Sequence, residues 1–221
     1  MTRFNVDVIA FDLDGTLIDS KRDIAESLNL TFNEVGYAPL SMETISSYVG
    51  NGIVPLVQQA VVKAGHPERE QEVLALFRSI YWERLLIHTK LYPGVMDTLE
   101  AFSKKYGMGV VSNKPERYTK EIVKRLGLEP MFGDQVYGGD SLPVKKPDPT
   151  ALLKVAEKHG AHPSKLLFVG DGSVDVMAGK NAGAYTVGVT YGFRSVKELE
   201  KAGVDRLIDN FDELLQVVED K

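Results

Sequence analysis

Apolar positions come in short unbroken runs along most of this chain, each stopped by turn-forming or polar residues. Val6 to Phe11 is nearly all apolar and ends at Asp-Leu-Asp-Gly-Thr, the pattern of a strand buried on both faces and halted by turn chemistry. Met108 to Val111 ends at Ser-Asn-Lys, Leu166 to Val169 at Gly-Asp-Gly, Tyr185 to Val189 near Gly192, and Arg206 to Ile208 at Asp-Asn. Helical spacing fills the gaps: Val95 to Phe102, Glu116 to Leu126, Pro149 to His159, Ser173 to Ala182 and Asp212 to Val218. Strands alternating with helices of about ten residues predict βαβ units, and hence a parallel sheet with helices on both faces.

From about Ser20 to Thr89 the alternation stops and only helical periodicity remains. Ile24, Leu28, Phe32 and Val35 mark one apolar face, and Leu74, Phe77, Tyr81 and Leu85 another, at spacings of three and four. The predicted architecture is therefore α/β. A doubly wound, Rossmann-like parallel sheet spans residues 1–18 and 90–221, and an all-helical cap is inserted at 19–89. The cap's repeating Val, Leu, Phe and Tyr positions are read as packing, whereas Asn51 and its flanking glycines interrupt them and are candidates to face the core.

In an open α/β sheet, ligands bind beyond the carboxyl ends of the strands. That rule selects Asp12 and Asp14 after the first strand, Ser112, Asn113 and Lys114 after the second, and Asp171 and Asp175 after the third, with Lys145 and Lys146 in the loop before the helix near Pro149. Carboxylates gathered at one point resist ionising together, and a hard cation taking oxygen ligands relieves them. Mg²⁺ fits best, because it accepts one or two carboxylates and leaves room for a substrate phosphate. A lysine, the Ser112 hydroxyl and backbone N–H groups would hold the other phosphate oxygens. Asp12, first off the strand, is the candidate nucleophile for an aspartyl-phosphate. Asp14, two residues on, is the candidate general acid and base. Gly15 permits close backbone approach, and Thr16 is expected to hydrogen-bond within the turn.

Composition narrows the chemistry. Cysteine is absent, which removes thiolate nucleophiles and thiolate metal sites. A formal net charge of −5 with mixed signs offers no basic face for nucleic acid, so the expected partner is a small phosphorylated metabolite. With neither a signal-peptide pattern nor a long apolar run, the reading is a cytoplasmic protein without a membrane segment, monomeric or homodimeric. Gly107-Met-Gly109 precedes a strand instead of following one, and Gly179-Lys180 lacks the upstream glycine spacing, so neither reads as a nucleotide loop. The four histidines lie beside Gly or Pro or in connecting segments and read as structural.

Four strings, in order, resemble the motifs of the haloacid dehalogenase superfamily: FDLDGTLIDS, VVSNK, KKPDP and VGDGSVD. The helical insertion between the first two is similar to that superfamily's cap. YVGNG, YPGV, SNKPERYT, GGD and VGVTYGF resemble, more narrowly, the phosphoglycolate phosphatase family. The resemblance implies hydrolysis of 2-phosphoglycolate to glycolate and phosphate, with Mg²⁺ held by the Asp12 side chain, the Asp14 carbonyl and the Asp171 side chain. It also implies that Lys146, directly before Pro147, is the phosphate-binding lysine in preference to Lys145, and that Asp175 orients Lys146 or a metal-bound water. One departure stands out: the fourth motif often reads Gly-Asp-Ser, and here Gly172 follows Asp171, so a hydroxyl contact near the metal is expected to be lost or moved. A pyrophosphatase, another small phosphomonoester phosphatase, or a β-phosphoglucomutase-like phosphosugar mutase would use the same core residues.

Overall fold

A computed structural model describes residues 3–219. Strand β1 (Val8–Phe11) is buried at every position. Val8 and Ala10 join one hydrophobic cluster while Ile9 and Phe11 join another, as expected when successive side chains point to opposite faces and both faces are covered. The predicted start at Val6 is two residues early.

The chain leaves the core through β2 (Ile18–Asp19) into four helices, α1 (Lys21–Glu34), α2 (Met42–Tyr48), α3 (Ile53–Ala64) and α4 (Glu70–Glu83), and returns through β3 (Lys90–Leu91). Ile24, Leu28 and Phe32 of α1 and Leu74, Phe77 and Tyr81 of α4 are buried, with Leu85 just beyond, and Val35 is half-buried. The two crossings are tied side by side. β2 pairs antiparallel with β3, and the buried Asp23 carboxylate of α1 accepts from the His88 and Thr89 amides and the Thr89 hydroxyl.

The core continues with α5 (Val95–Ser103), β4 (Gly107–Val111), α6 (Glu116–Arg125), α7 (Glu129–Phe132), β5 (Val136–Tyr137), α8 (Thr150–Lys158), β6 (Leu166–Gly170), α9 (Ser173–Ala182), β7 (Tyr185–Val189), α10 (Val196–Ala202), β8 (Arg206–Ile208) and α11 (Leu214–Val217). The sheet order is β5-β4-β1-β6-β7-β8, every pair parallel. β1 lies between β4 and β6, where successive crossovers run to opposite sides, and this switch point opens a crevice at the carboxyl ends.

The elements absent from the sequence reading are those too short or too polar to carry a period. β2, β3 and β5 have two residues each, and α10 buries only Leu199 among charged neighbours. The single last helix expected over Asp212 to Val218 is instead a 3₁₀ turn at Phe211–Glu213 followed by α11. Among the described residues no helix is long and apolar enough to cross a membrane.

Candidate active site

Asp12 directly follows β1, its amide donating to Val169 O of the neighbouring strand at 2.9 Å, so the sheet itself fixes where its side chain starts. Asp171 and Asp175 follow β6, the latter in the first turn of α9, where an acid favours the helix dipole. Carboxylate oxygens of Asp12, Asp171 and Asp175 lie within 4.8 Å of one another, all three residues being buried. Gly15, at φ +84°, makes this clustering possible, since a Cβ there would stand 2.3 Å from Asp171 Oδ2.

Lys146 is 4% exposed, and its Nζ lies 2.7 Å from Asp12 Oδ1 and 2.7 Å from Asp175 Oδ1. The Asp175 contact is a hydrogen bond. The Asp12 contact is an ion pair without hydrogen-bond geometry, leaving the buried Asp12 Oδ1 with no hydrogen-bond partner. Lys145, next in sequence, is exposed and points elsewhere, its Nζ donating to Asn51 O at 2.8 Å.

Asp14 is turned to the other side of the crevice. Its carboxylate accepts both the Lys114 ammonium, at 2.9 Å to each oxygen, and the Ser20 hydroxyl at 2.5 Å. Ser112 and Asn113 are buried at the end of β4 and line the same cavity as Asp12 and Asp14. Asn113 Nδ2 donates to Gly50 O and Lys146 O. Beyond Gly172, whose amide donates to Asp175 Oδ2, the Ser173 hydroxyl donates to Glu198. The hydroxyl displaced by one place in the fourth motif thus serves α10. Thr16 hydrogen-bonds within the turn through its amide to Leu13 O, and its carbonyl accepts from the Tyr191 hydroxyl, while its own hydroxyl has no hydrogen-bond partner.

Electrostatics follow from this packing. Burial pushes Asp12 up to about 6, the Lys146 ammonium pulling against it and Asp175 adding to it. Burial, with Asp175 and Asp12 alongside, lifts Asp171 well above the usual carboxylate range. For Lys146 and Lys114 burial works against the charge, but the adjacent carboxylates outweigh it and hold both ammoniums above their ordinary value. Asp14 and Lys114 balance one another, whereas three clustered carboxylates face the single Lys146 ammonium, leaving two negative charges uncompensated when all are ionised. An oxygen-only donor set with that residual charge and a buried oxygen lacking a hydrogen bond fits a small divalent cation.

Several contributors escaped the sequence reading. After β7, the Phe193 amide donates to Asp171 Oδ2 at 2.5 Å. The next residue, Arg194, donates to Ser47 O and Val49 O of the cap. With Asn113 on Gly50 O and Lys145 on Asn51 O, side chains from three loops at the sheet edge hold four carbonyls of one short segment of the helical insertion. The strand-end rule, extended to the loop after β7, would have selected Phe193 and Arg194. Lys114's pairing with Asp14 has no sequence signal, since the two are 100 residues apart.

The sequence profile described as haloacid dehalogenase-like hydrolase matches residues 9–189. The chain is similar to a phosphoglycolate phosphatase of Vibrio parahaemolyticus, 37% identical with 99% of this chain and 98% of that protein covered. It is also similar to a phosphoglycolate phosphatase of Aquifex aeolicus, 41% identical over 84% of this chain and 85% of that one. A crystal structure described as a predicted phosphoglycolate phosphatase from Haemophilus somnus superposes with a TM-score of 0.90 at 34% identity, covering 98% of this chain and 99% of that one.

Proposed function

We propose that this chain, which belongs to the haloacid dehalogenase-like hydrolase family, is a Mg²⁺-dependent phosphatase that converts 2-phosphoglycolate to glycolate and phosphate through an aspartyl-phosphate on Asp12. The observation that carries the chemistry is the buried Asp12 carboxylate, free of hydrogen bonds at Oδ1 and held against the Lys146 ammonium. The choice of substrate rests on full-length likeness to phosphoglycolate phosphatases.

In this reading Asp12 attacks phosphorus, the ester bond breaks, and its electron pair leaves with the glycolate oxygen, which takes a proton from Asp14. Asp14 then removes a proton from the water that attacks the aspartyl-phosphate, releasing phosphate and restoring Asp12. Lys146, Ser112 and Asn113 bind the phosphoryl oxygens, Lys146 being poised between Asp12 and Asp175, which holds it in place. The Asp12 and Asp171 carboxylates and the Asp14 carbonyl would hold Mg²⁺. Bound there, the ion supplies charge neutralisation for the carboxylates and for the transferring phosphoryl group. The division into a core of 1–18 and 90–221 and a cap of 19–89 belongs to the same reading: the core does the chemistry, and the cap encloses it.

Phosphate release from 2-phosphoglycolate, pyrophosphate, β-glucose 1-phosphate and an aryl phosphate, each with Mg²⁺ and with chelator, tests the proposal. A Mg²⁺-dependent preference for 2-phosphoglycolate is expected. Isomerised sugar phosphate without phosphate release, or a preference for pyrophosphate, would replace this function with another.

A further inference from the structure

Against the phosphoryl end of the site lies a cavity whose other walls belong to the cap. Ile24, Ile53, Leu56 and Phe77 give it an apolar lining, so a polyol chain entering here would leave its hydroxyls unpaired, at about 1–3 kcal/mol each. Asp12, Asp14, Ser112 and Asn113 close its phosphoryl end, and farther along three hydrogen-bond donors break the apolar lining. Tyr81, 1% exposed and on the cavity wall, has a hydroxyl whose hydrogen finds no acceptor. Lys114 lies beside it, its Nζ 4.9 Å from the Tyr81 ring centroid and held between the Asp14 carboxylate and the Tyr81 side chain. The first turn of α3, a helix of 12 residues with neither a side-chain cap nor an acid in that turn, begins at Gly52 and Ile53 in the cavity lining, and its leading N–H groups have no intrahelical acceptor. Tyr81 is held rigidly, stacked on Phe77 at 5.4 Å and on Tyr118 at 5.7 Å, and burial keeps its phenol protonated.

A buried set of donors, its one ammonium already balanced by Asp14, suits the carboxylate oxygens of a short acid at one short reach from the proposed nucleophile. We infer that Tyr81, Lys114 and the first-turn amides of α3 form the receptor for the carboxylate of a phosphorylated short hydroxy acid, with Tyr81 as the specificity-determining residue. The inference deepens the proposed function and rests on Asp12 being the phosphoryl acceptor. Tyr81 selects by donating its hydroxyl hydrogen to the substrate carboxylate; an ester without that carboxylate leaves the hydrogen buried without an acceptor, as it is in the structure. The apolar walls limit the substrate to a short acid and disfavour a sugar.

The test compares wild type and Tyr81→Phe on 2-phosphoglycolate and on methyl phosphate, the same ester without its carboxylate. For Tyr81→Phe, kcat/KM on 2-phosphoglycolate falls about 10- to 100-fold, chiefly through KM, while methyl phosphate changes less than about twofold. Product inhibition by glycolate weakens by a similar factor. Equal loss on both esters, or no loss on either, overturns the receptor. A thermal unfolding curve matching wild type identifies the folded variant. Independently of any variant, glycolate inhibits the wild type far better than ethylene glycol, and equal inhibition also overturns the receptor. If wild type prefers a different phosphorylated acid and Tyr81→Phe erases that preference, the receptor stands and only the 2-phosphoglycolate assignment falls. If wild type favours no acid ester over methyl phosphate, the receptor falls even where Mg²⁺-dependent phosphatase activity remains.

Discussion

The two walls of the crevice are built on different principles. The core wall consists of charged side chains launched from strand ends: Asp12, Asp171, Asp175 and Lys146 sit in one buried ion network whose members start from adjacent strands or their loops. The cap wall offers carbonyls at 47, 49, 50 and 51, apolar side chains, one helix start and one phenol. A network held by the sheet cannot adjust without disturbing the core, so it suits a step that does not change from one phosphate ester to the next. A wall of apolar side chains and backbone carbonyls, packed on α6 through Tyr81 and Tyr118 and tied to the core loops by hydrogen bonds, suits choosing and enclosing a substrate. On this comparison, core substitutions lower kcat and cap substitutions act mainly through KM.

The sharpest break comes from Asp12→Asn, which removes the proposed nucleophile and keeps the shape: phosphate release is expected to fall by about 10⁴-fold or more while the fold remains. Full activity in that variant would end the assignment. Lys146→Met comes next. It leaves three clustered carboxylates without the Lys146 ammonium, and the expected result is a loss of about 10³-fold in kcat, checked by steady-state kinetics, with weaker folding above about pH 6.

On the cap side, Gly52→Ala puts a Cβ 2.8 Å from Asn113 O at φ +94°. Closure is thereby obstructed, and kcat/KM drops about tenfold through KM. Arg194→Ala removes two of the four fastenings but no group in contact with the phosphoryl site, and a rise in KM of about threefold to fivefold is expected with kcat held or slightly raised.

The smallest effect links metal to pH. Asp12 titrates near 6 in the folded protein against an ordinary value of 3.8. An acid raised on folding favours the folded state at pH below its ordinary value, and the contribution is lost as pH rises through about 6. The metal-free protein therefore loses this stability between about pH 4 and pH 6, and a divalent cation restores it by binding the ionised cluster. Differential scanning fluorimetry should find saturating Mg²⁺ raising Tm by about 5 °C more at about pH 7.5 than at about pH 5. An equal rise at both would place the ion away from these carboxylates.

The same comparison explains what could be read from the residues. Val8 to Phe11, Leu166 to Gly170 and Tyr185 to Val189 were legible because a strand covered on both faces is an apolar run with an abrupt end, and the residues at those ends come together at one sheet edge. β5 and the β2–β3 pair were not legible, because two residues make no period. In the cap, Tyr81 falls at the i+4 position after Phe77, where a buried aromatic in a helix looks like packing; only the unpartnered hydroxyl distinguishes it. Gly50 and Gly52 showed as interruptions, but what they approach, Arg194 and Asn113, lies far along the chain. The clustered charges sit at sequence positions that the sheet dictates, whereas the cavity beside them depends on how the helical insertion packs against the sheet.

The most direct test of the account is to quench the enzyme with acid during turnover of 2-phosphoglycolate and map the covalent phosphoryl group by peptide mass spectrometry. The account predicts a phosphoryl adduct on Asp12, formed with Mg²⁺, absent with chelator and absent in Asp12→Asn. Rapid phosphate release with no adduct under conditions that preserve acyl phosphates, or an adduct on another residue, would contradict it.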